Sequence, residues 1–149
     1  MNVVQAIKDV NSVLSDMSNI VARSIISNDA EIIDLNISQL AEGMGASGKL
    51  LPEYSSDEYY AAKKAEGLTE KAGRHYNMLL DGDLRSGMYI EARGGYGSQA
   101  WIDSTDDKTS RMEDLTNVNI FGIAPKNHKK LIGIIAPDIK KQILNKIIK

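Results

Sequence analysis

The stretch DGDLRSGMYIEARGGYGSQAWIDSTD, residues 81–106, decides the fold. From Met88 the residues alternate, with Met88, Ile90 and Ala92 on one side and Tyr89, Glu91 and Arg93 on the other. A period of two marks a half-buried strand. Gly94-Gly95-Tyr96-Gly97 supplies the positive φ angles that a reversal needs without a Cβ penalty. Ala100, Ile102 and Ser104 then alternate with Trp101, Asp103 and Thr105. The spacing predicts a β-hairpin. A lone hairpin is marginal in water, so helices on either side of it in sequence must cover it, or other strands or chains must extend it.

Upstream, residues 3–26 read as one long helix. Val3, Ile7, Val10, Leu14, Met17 and Val21 are spaced 4, 3, 4, 3, 4, and neither Gly nor Pro interrupts them. That heptad-like stripe fits two placements: on the hairpin sheet as core, or against a neighbouring subunit. Ser27-Asn28-Asp29 is a break able to cap the next element of the chain. In EIIDLNISQLAEGM, residues 31–44, Ile32-Ile33 fits a short strand, while Asp34 or Asn36 fits the cap of a helix through Leu40 and Met44. Residues 46–56, with Pro52 inside, form a loop that tucks Leu50 and Leu51 against the core. Ser55 or Ser56 ahead of Asp57-Glu58 marks a helix start, which Gly67 stops. Lys63 and Lys64 sit near its C-terminal end, where the helix dipole favours them.

Past the hairpin, Asp106-Asp107 caps a short helix through Arg111, Met112 and Leu115. Pro125 opens another helix, and Pro137 bends or restarts it. Ile139, Ile143 and Ile147 then share a face, with Lys140, Lys141, Lys146 and Lys149 largely off it. The fold class expected is α+β: a long N-terminal helix and C-terminal helices packed on a small antiparallel sheet containing the central hairpin. One domain spanning residues 1–149 is expected, because this length suits one core.

Composition narrows the chemistry. The 149 residues carry a net charge of −2, so no global field recommends nucleic acid or an acidic membrane. The absence of cysteine excludes disulfides, thiolate metal sites and thiol nucleophiles, and fits a reducing compartment. No apolar run approaches membrane-spanning length, and Lys8 and Asp9 come too early for a signal-peptide core. One Trp, one Phe and six Tyr leave the core to aliphatic residues.

Asp81, Asp83, Asp103, Asp106 and Asp107 offer oxygen ligands for a hard cation, but their spacing does not match a calcium loop. Turn and cap roles suit them better. His75 and His128 lack a nucleophile or a metal-binding frame around them. The glycines at 94–97 join two strands rather than opening a helix, so they do not read as a phosphate loop. No catalytic, metal-binding or cofactor-binding residue is therefore assigned. The lysine runs at 126–130 and 140–149 suit either a solvated face or phosphate contact.

The order of these signals resembles the virion morphogenesis proteins of tailed bacteriophages, the small neck and tail-completion group. Gly43 to Ser55 is similar to their glycine-rich turn before a Pro and a hydroxyl residue. Tyr59 to Lys64 is similar to their lysine-bearing helix. Asp81 to Gly87 looks like the hairpin opener and Ile102 to Lys108 the exit. Asn119 to Ile123 looks like the form seen in phages of Bacteroidetes-type hosts, including crAss-like phages. The resemblance covers roughly residues 30–135 and departs where Leu51 stands in place of a common Trp.

The resemblance implies a structural, non-enzymatic virion protein that forms a homo-oligomeric ring at the head–tail joint, with portal, adaptor or tail proteins as neighbours and no cofactor. It implies a location in the neck or tail, after assembly in the host cytoplasm. The residues expected at subunit contacts are Val3, Ile7, Val10, Leu14, Met17, Val21, Leu51, Tyr54, Tyr96 and Trp101. The alternative is a nucleic-acid-binding accessory protein using the C-terminal lysines.

Overall fold

The structure, a computed structural model, describes residues 3–79, 81–94, 99–108, 111, 112, 114 and 119–148. Helix α1 spans Val3–Ser27 and α2 spans Asp29–Ala41. Then come α3 (Asp57–Ala65), a single turn α4 (Asp83–Ser86), strands β1 (Met88–Arg93) and β2 (Gln99–Ser104), a 3-10 turn (Pro125–Asn127) and α5 (His128–Ile147). This is the α+β architecture expected. Among the described residues no helix is long and apolar enough to cross a membrane.

The hairpin forms with the expected faces. Met88 pairs with Ser104, Ile90 with Ile102 and Ala92 with Ala100, placing the alternating apolar residues of both strands on one side. Tyr89 opposite Asp103 and Glu91 opposite Trp101 take the other side. Helices α1 and α2 pack on β1. Gly94 is needed for proximity, since its φ lies outside the left-handed region: a Cβ there would meet Asn19 Oδ1 at 1.8 Å and the Asn19 Cα at 2.9 Å. Gly94→Ala is expected to push the hairpin off α1 and to cost about 1–3 kcal/mol, the usual range for overpacking. A fall in the urea midpoint checks it. The remainder of the expected turn, residues 95–98, lies outside the described residues.

The stretch at 31–44 resolves as helix, with no strand at Ile32-Ile33. Ile32, Asn36, Gln39 and Leu40 recur at helical spacing and are all buried, so one continuous face outweighs the β-branched pair. Asn36 therefore lies inside the helix and caps nothing. The helix ends in a Schellman arrangement: Met44 donates to the Gln39 carbonyl at 3.1 Å and Gly43 to the Leu40 carbonyl at 2.8 Å, with Gly43 left-handed. Helix α3 starts as expected, with Ser56 Oγ accepting from the Tyr59 amide at 3.1 Å. It ends in the same arrangement at Gly67.

Two expectations need correction. Leu50 is exposed, and only Leu51 turns inward. Nor does Pro137 restart the C-terminal helix, which continues through it. Pro137 and Gly133, whose carbonyl would have received the missing bond, are both exposed, so water can satisfy that carbonyl. The helix after Asp106 is described at Lys108, Arg111, Met112 and Asp114, and Asp106 Oδ1 accepts from the Lys108 amide at 2.9 Å. Leu115 lies outside the described residues.

The core gathers Leu40, Leu51, Met78, Leu84, Met88, Ile120 and Phe121. A polar hub beside it fixes the loops. Gln39 Nε2 donates to the carbonyls of Gly45 and Gly122 at 3.1 and 2.9 Å. Its Oε1 accepts from the Ala124 amide at 2.8 Å and from Asn127 Nδ2 at 3.2 Å. Asn36 Nδ2 adds a bond to the Gly122 carbonyl at 3.1 Å.

Candidate assembly surface and a buried lysine

Helix α1 divides into two halves. From Val13 onward four residues, Val13, Ile20, Ala22 and Ser24, are buried. There α5 runs antiparallel beside it: Arg23 Nε donates to Gln142 Oε1 at 3.0 Å, Gln142 Nε2 donates to Ser24 Oγ at 2.9 Å, and Lys146 pairs with Asp16. Bonds from Lys146, Asn19 and Arg23 hold the Asp16 carboxyl well below the usual carboxylate range. Helix α5 ends at Ile147, so residues 3–12 of α1 extend past the body, roughly 15 Å at 1.5 Å per residue. No residue in that overhang is buried.

The first half of the expected stripe lies in this overhang and at Leu14 just beyond it, and it is uncovered among the described residues. Val3 is 75% exposed, Ile7 55%, Val10 47% and Leu14 63%. Met17 and Val21, further along, are half-buried. Val4 widens the patch toward Lys8, its neighbour one turn on, while Asp9 falls off it. The first turn contains no acid to complement the dipole. An isolated helix of this length is marginal in water.

The other expected contact residues separate. Trp101 is exposed on β2 with the Arg93 guanidinium over its ring at 5.5 Å. Leu51 and Tyr54 are interior and leave the set of residues open to a neighbour. The Leu51 amide donates to the Gly43 carbonyl at 2.7 Å, which draws the loop over the core. Tyr54 packs against Tyr59 and Tyr76, with ring centroids 5.2 and 4.2 Å away. Tyr96 lies outside the described residues.

An apolar groove opens at the far end of α1. It has a volume of about 380 Å³, and its walls include Ile25, Ile90, Trp101, Ile102, Ile123 and Leu131. A second, smaller cavity of about 90 Å³ is walled by Tyr54, Tyr59, Tyr76 and Met78, with Lys63 among its lining. The sequence placed Lys63 near a helix C-terminus, where the dipole favours it, and there it is only 4% exposed. Its ammonium donates to Tyr54 Oη at 2.5 Å and to Asn77 Oδ1 at 2.6 Å, and lies 4.8 Å from the Tyr54 ring centroid. Asn77 Nδ2 donates to Glu70, which also receives both Arg85 terminal nitrogens at 2.9 and 2.6 Å. The cation that this tyrosine cluster holds is therefore the protein's own.

Burial, reinforced by the Arg85 charge and opposed by Glu70, lowers the Lys63 pKa from 10.5 to about 8. Between those values the unfolded chain holds a proton that the folded chain has released, so this group adds stability as pH rises through the window. Urea titrations from pH 8 to 10 are expected to show wild type gaining relative to Lys63→Met. A flat difference would contradict the sign.

The carboxylates of Asp81, Asp83 and Asp106 approach within 4.8 Å of one another. Asp81 Oδ2 receives Lys108 Nζ at 2.9 Å and its Oδ1 receives the Asp83 amide at 3.1 Å. Asp81 and Asp106 thus each accept a backbone amide two residues on, as turn and cap residues do. His75 Nδ1 lies 2.6 Å from the Leu51 carbonyl, tying the loop to the 72–76 segment. Comparison with known protein families, characterised proteins and solved structures gives no match to this chain.

Proposed function

We propose that this chain is a structural protein of a tailed-phage virion, acting in head–tail joining or tail completion by assembling with copies of itself into a ring. The observation that carries the assembly half of this reading is the overhang of α1, whose apolar stripe is exposed and has no partner among the described residues. The phage half rests on the order of short motifs from Gly43 to Ile123. The two-stranded sheet supports assembly as well, since a short sheet has edges that accept further contacts. The ring would sit in the neck or tail and seat on portal, adaptor or tail proteins. Electron microscopy of the purified protein is expected to show closed rings. Dispersed single copies at high concentration would count against the proposal.

A second reading, binding of nucleic acid, is favoured by one observation. Lys129, Lys130, Lys140 and Lys141 are exposed and recur at a spacing of eleven, which places them on one side of α5. Binding to duplex DNA that falls steeply with salt would support it, and a flat or absent response would remove it.

A further inference from the structure

We propose that the small cavity beside α3 is a covalent binding site for a small neutral aldehyde, held as an imine on Lys63. The α1 stripe and the assembly reading play no part in it.

The surroundings of Lys63 make it a nucleophile. A buried ammonium ordinarily has a carboxylate partner. Lys63, almost wholly buried, has only the neutral oxygens of Tyr54 and Asn77 as partners among the described residues. Glu70, the acid of this network, is occupied by Arg85. Arg85 also donates to the Asn77 carbonyl at 2.6 Å, which sets a second cation close to the first. A desolvated lysine next to another cation is an arrangement that activates an amine for attack on carbonyl carbon.

The cavity selects the ligand. Its volume of about 90 Å³ equals about three waters, room for a chain of about three carbons. Tyr54, Tyr76, Met78, Leu84 and Met112 line it beside Lys63 and give it an apolar wall. A wider hollow of about 530 Å³ shares Tyr54, Tyr59, Tyr76 and Met112 with it, so the cavity opens outward past the exposed Tyr59. Asp81 and Asp106 also line it, and Lys108 pairs with Asp81. Once the amine is neutral, the Asp106 carboxylate disfavours an anionic keto acid and leaves a neutral aldehyde as the better fit.

The neutral amine can exchange donor and acceptor roles with the Tyr54 hydroxyl, 2.5 Å away, while still donating to Asn77 Oδ1. Its nitrogen attacks the carbonyl carbon as the Tyr54 hydrogen bond passes to the carbonyl oxygen. Both amine protons end on that oxygen, which leaves as water, and a C=N bond remains. Asn77 Oδ1 keeps the Leu79 amide at 3.3 Å and is not stranded.

Propanal with cyanoborohydride, which reduces an imine to a stable secondary amine, tests this on the unsubstituted protein at pH 7, with modified lysines read by peptide mass spectrometry. At that pH about one-tenth of an amine with a pKa of about 8 is free, against roughly one in three thousand for an ordinary lysine. Lys63 is expected to be alkylated at least about tenfold faster than Lys64, its exposed neighbour on α3. Its rate should level off above pH 8 while that of Lys64 keeps rising. Pyruvate is expected to label Lys63 more slowly than propanal. Labelling of Lys63 no faster than Lys64, or only after urea unfolds the chain, would overturn the site. Faster labelling by pyruvate would overturn the choice of a neutral ligand.

Discussion

Gln39→Ala is expected to lower stability by about 3–5 kcal/mol, because it strands several buried groups at once. The Ala124 amide and Asn127 Nδ2 lose a partner, while the Gly45 carbonyl retains the Gly48 amide and Gly122 retains only Asn36. Each unsatisfied buried group costs about 1–3 kcal/mol. For a chain of this size the melting temperature should fall by roughly 10 °C. Gln39→Glu separates hydrogen bonding from volume. The side chain is nearly isosteric, but its second oxygen would face the Gly45 and Gly122 carbonyls at the positions where Nε2 now donates. Acceptor against acceptor, with a buried charge, is expected to destabilise at least as much as alanine at neutral pH. Urea unfolding of the three proteins checks both statements, and a stable Gln39→Glu protein would contradict the hub.

The second large effect belongs to assembly. Ile7→Asp together with Val10→Asp is expected to abolish self-association while leaving the fold intact. Both side chains are exposed in the single chain, so the substitutions bury no charge there. In an assembly they would place two unpaired carboxylates in an apolar contact, at a cost of several kcal/mol per ion. Since each 1.4 kcal/mol is tenfold in an equilibrium constant, dissociation should strengthen by at least about a thousandfold. Light scattering gives the mass, and circular dichroism with the urea midpoint shows that the single chain is unchanged. A variant that stays assembled would remove α1 from the contact.

Legibility in the sequence followed how local the deciding physics is. The hairpin faces were readable because period two and paired registry are properties of the strands themselves. The start and stop of α3 were readable because Ser56 and Gly67 act within one turn of backbone. Helix α2 was ambiguous because Ile32-Ile33 is as apolar as a buried strand, and only the tertiary face with Asn36 and Gln39 decides. Those two polar residues at core spacing were a usable signal for the hub. Continuity of α5 through Pro137 depends on which side of the helix meets water, a tertiary fact. Burial of Lys63 was hidden for the same reason. Nothing near it in sequence tells that Tyr54 and Asn77 converge on its ammonium.

Of the expected contact residues, the α1 stripe was legible because its spacing is regular. Its two candidate placements could not be told apart, since the same heptad pattern serves a core and an interface. The structure divides them along one helix, half covered by α5 and half not. Leu51, expected both against the core and at a contact, keeps the core placement, and Tyr54 was misplaced because a residue in a loop looks available until long-range backbone bonds fold the loop inward.

The most direct test is sedimentation of the unmodified protein over a wide concentration range. A multiple of the chain mass that persists on dilution and converges on one closed stoichiometry is expected. A single-chain mass at every concentration, with α1 fully helical, would contradict assembly through that helix.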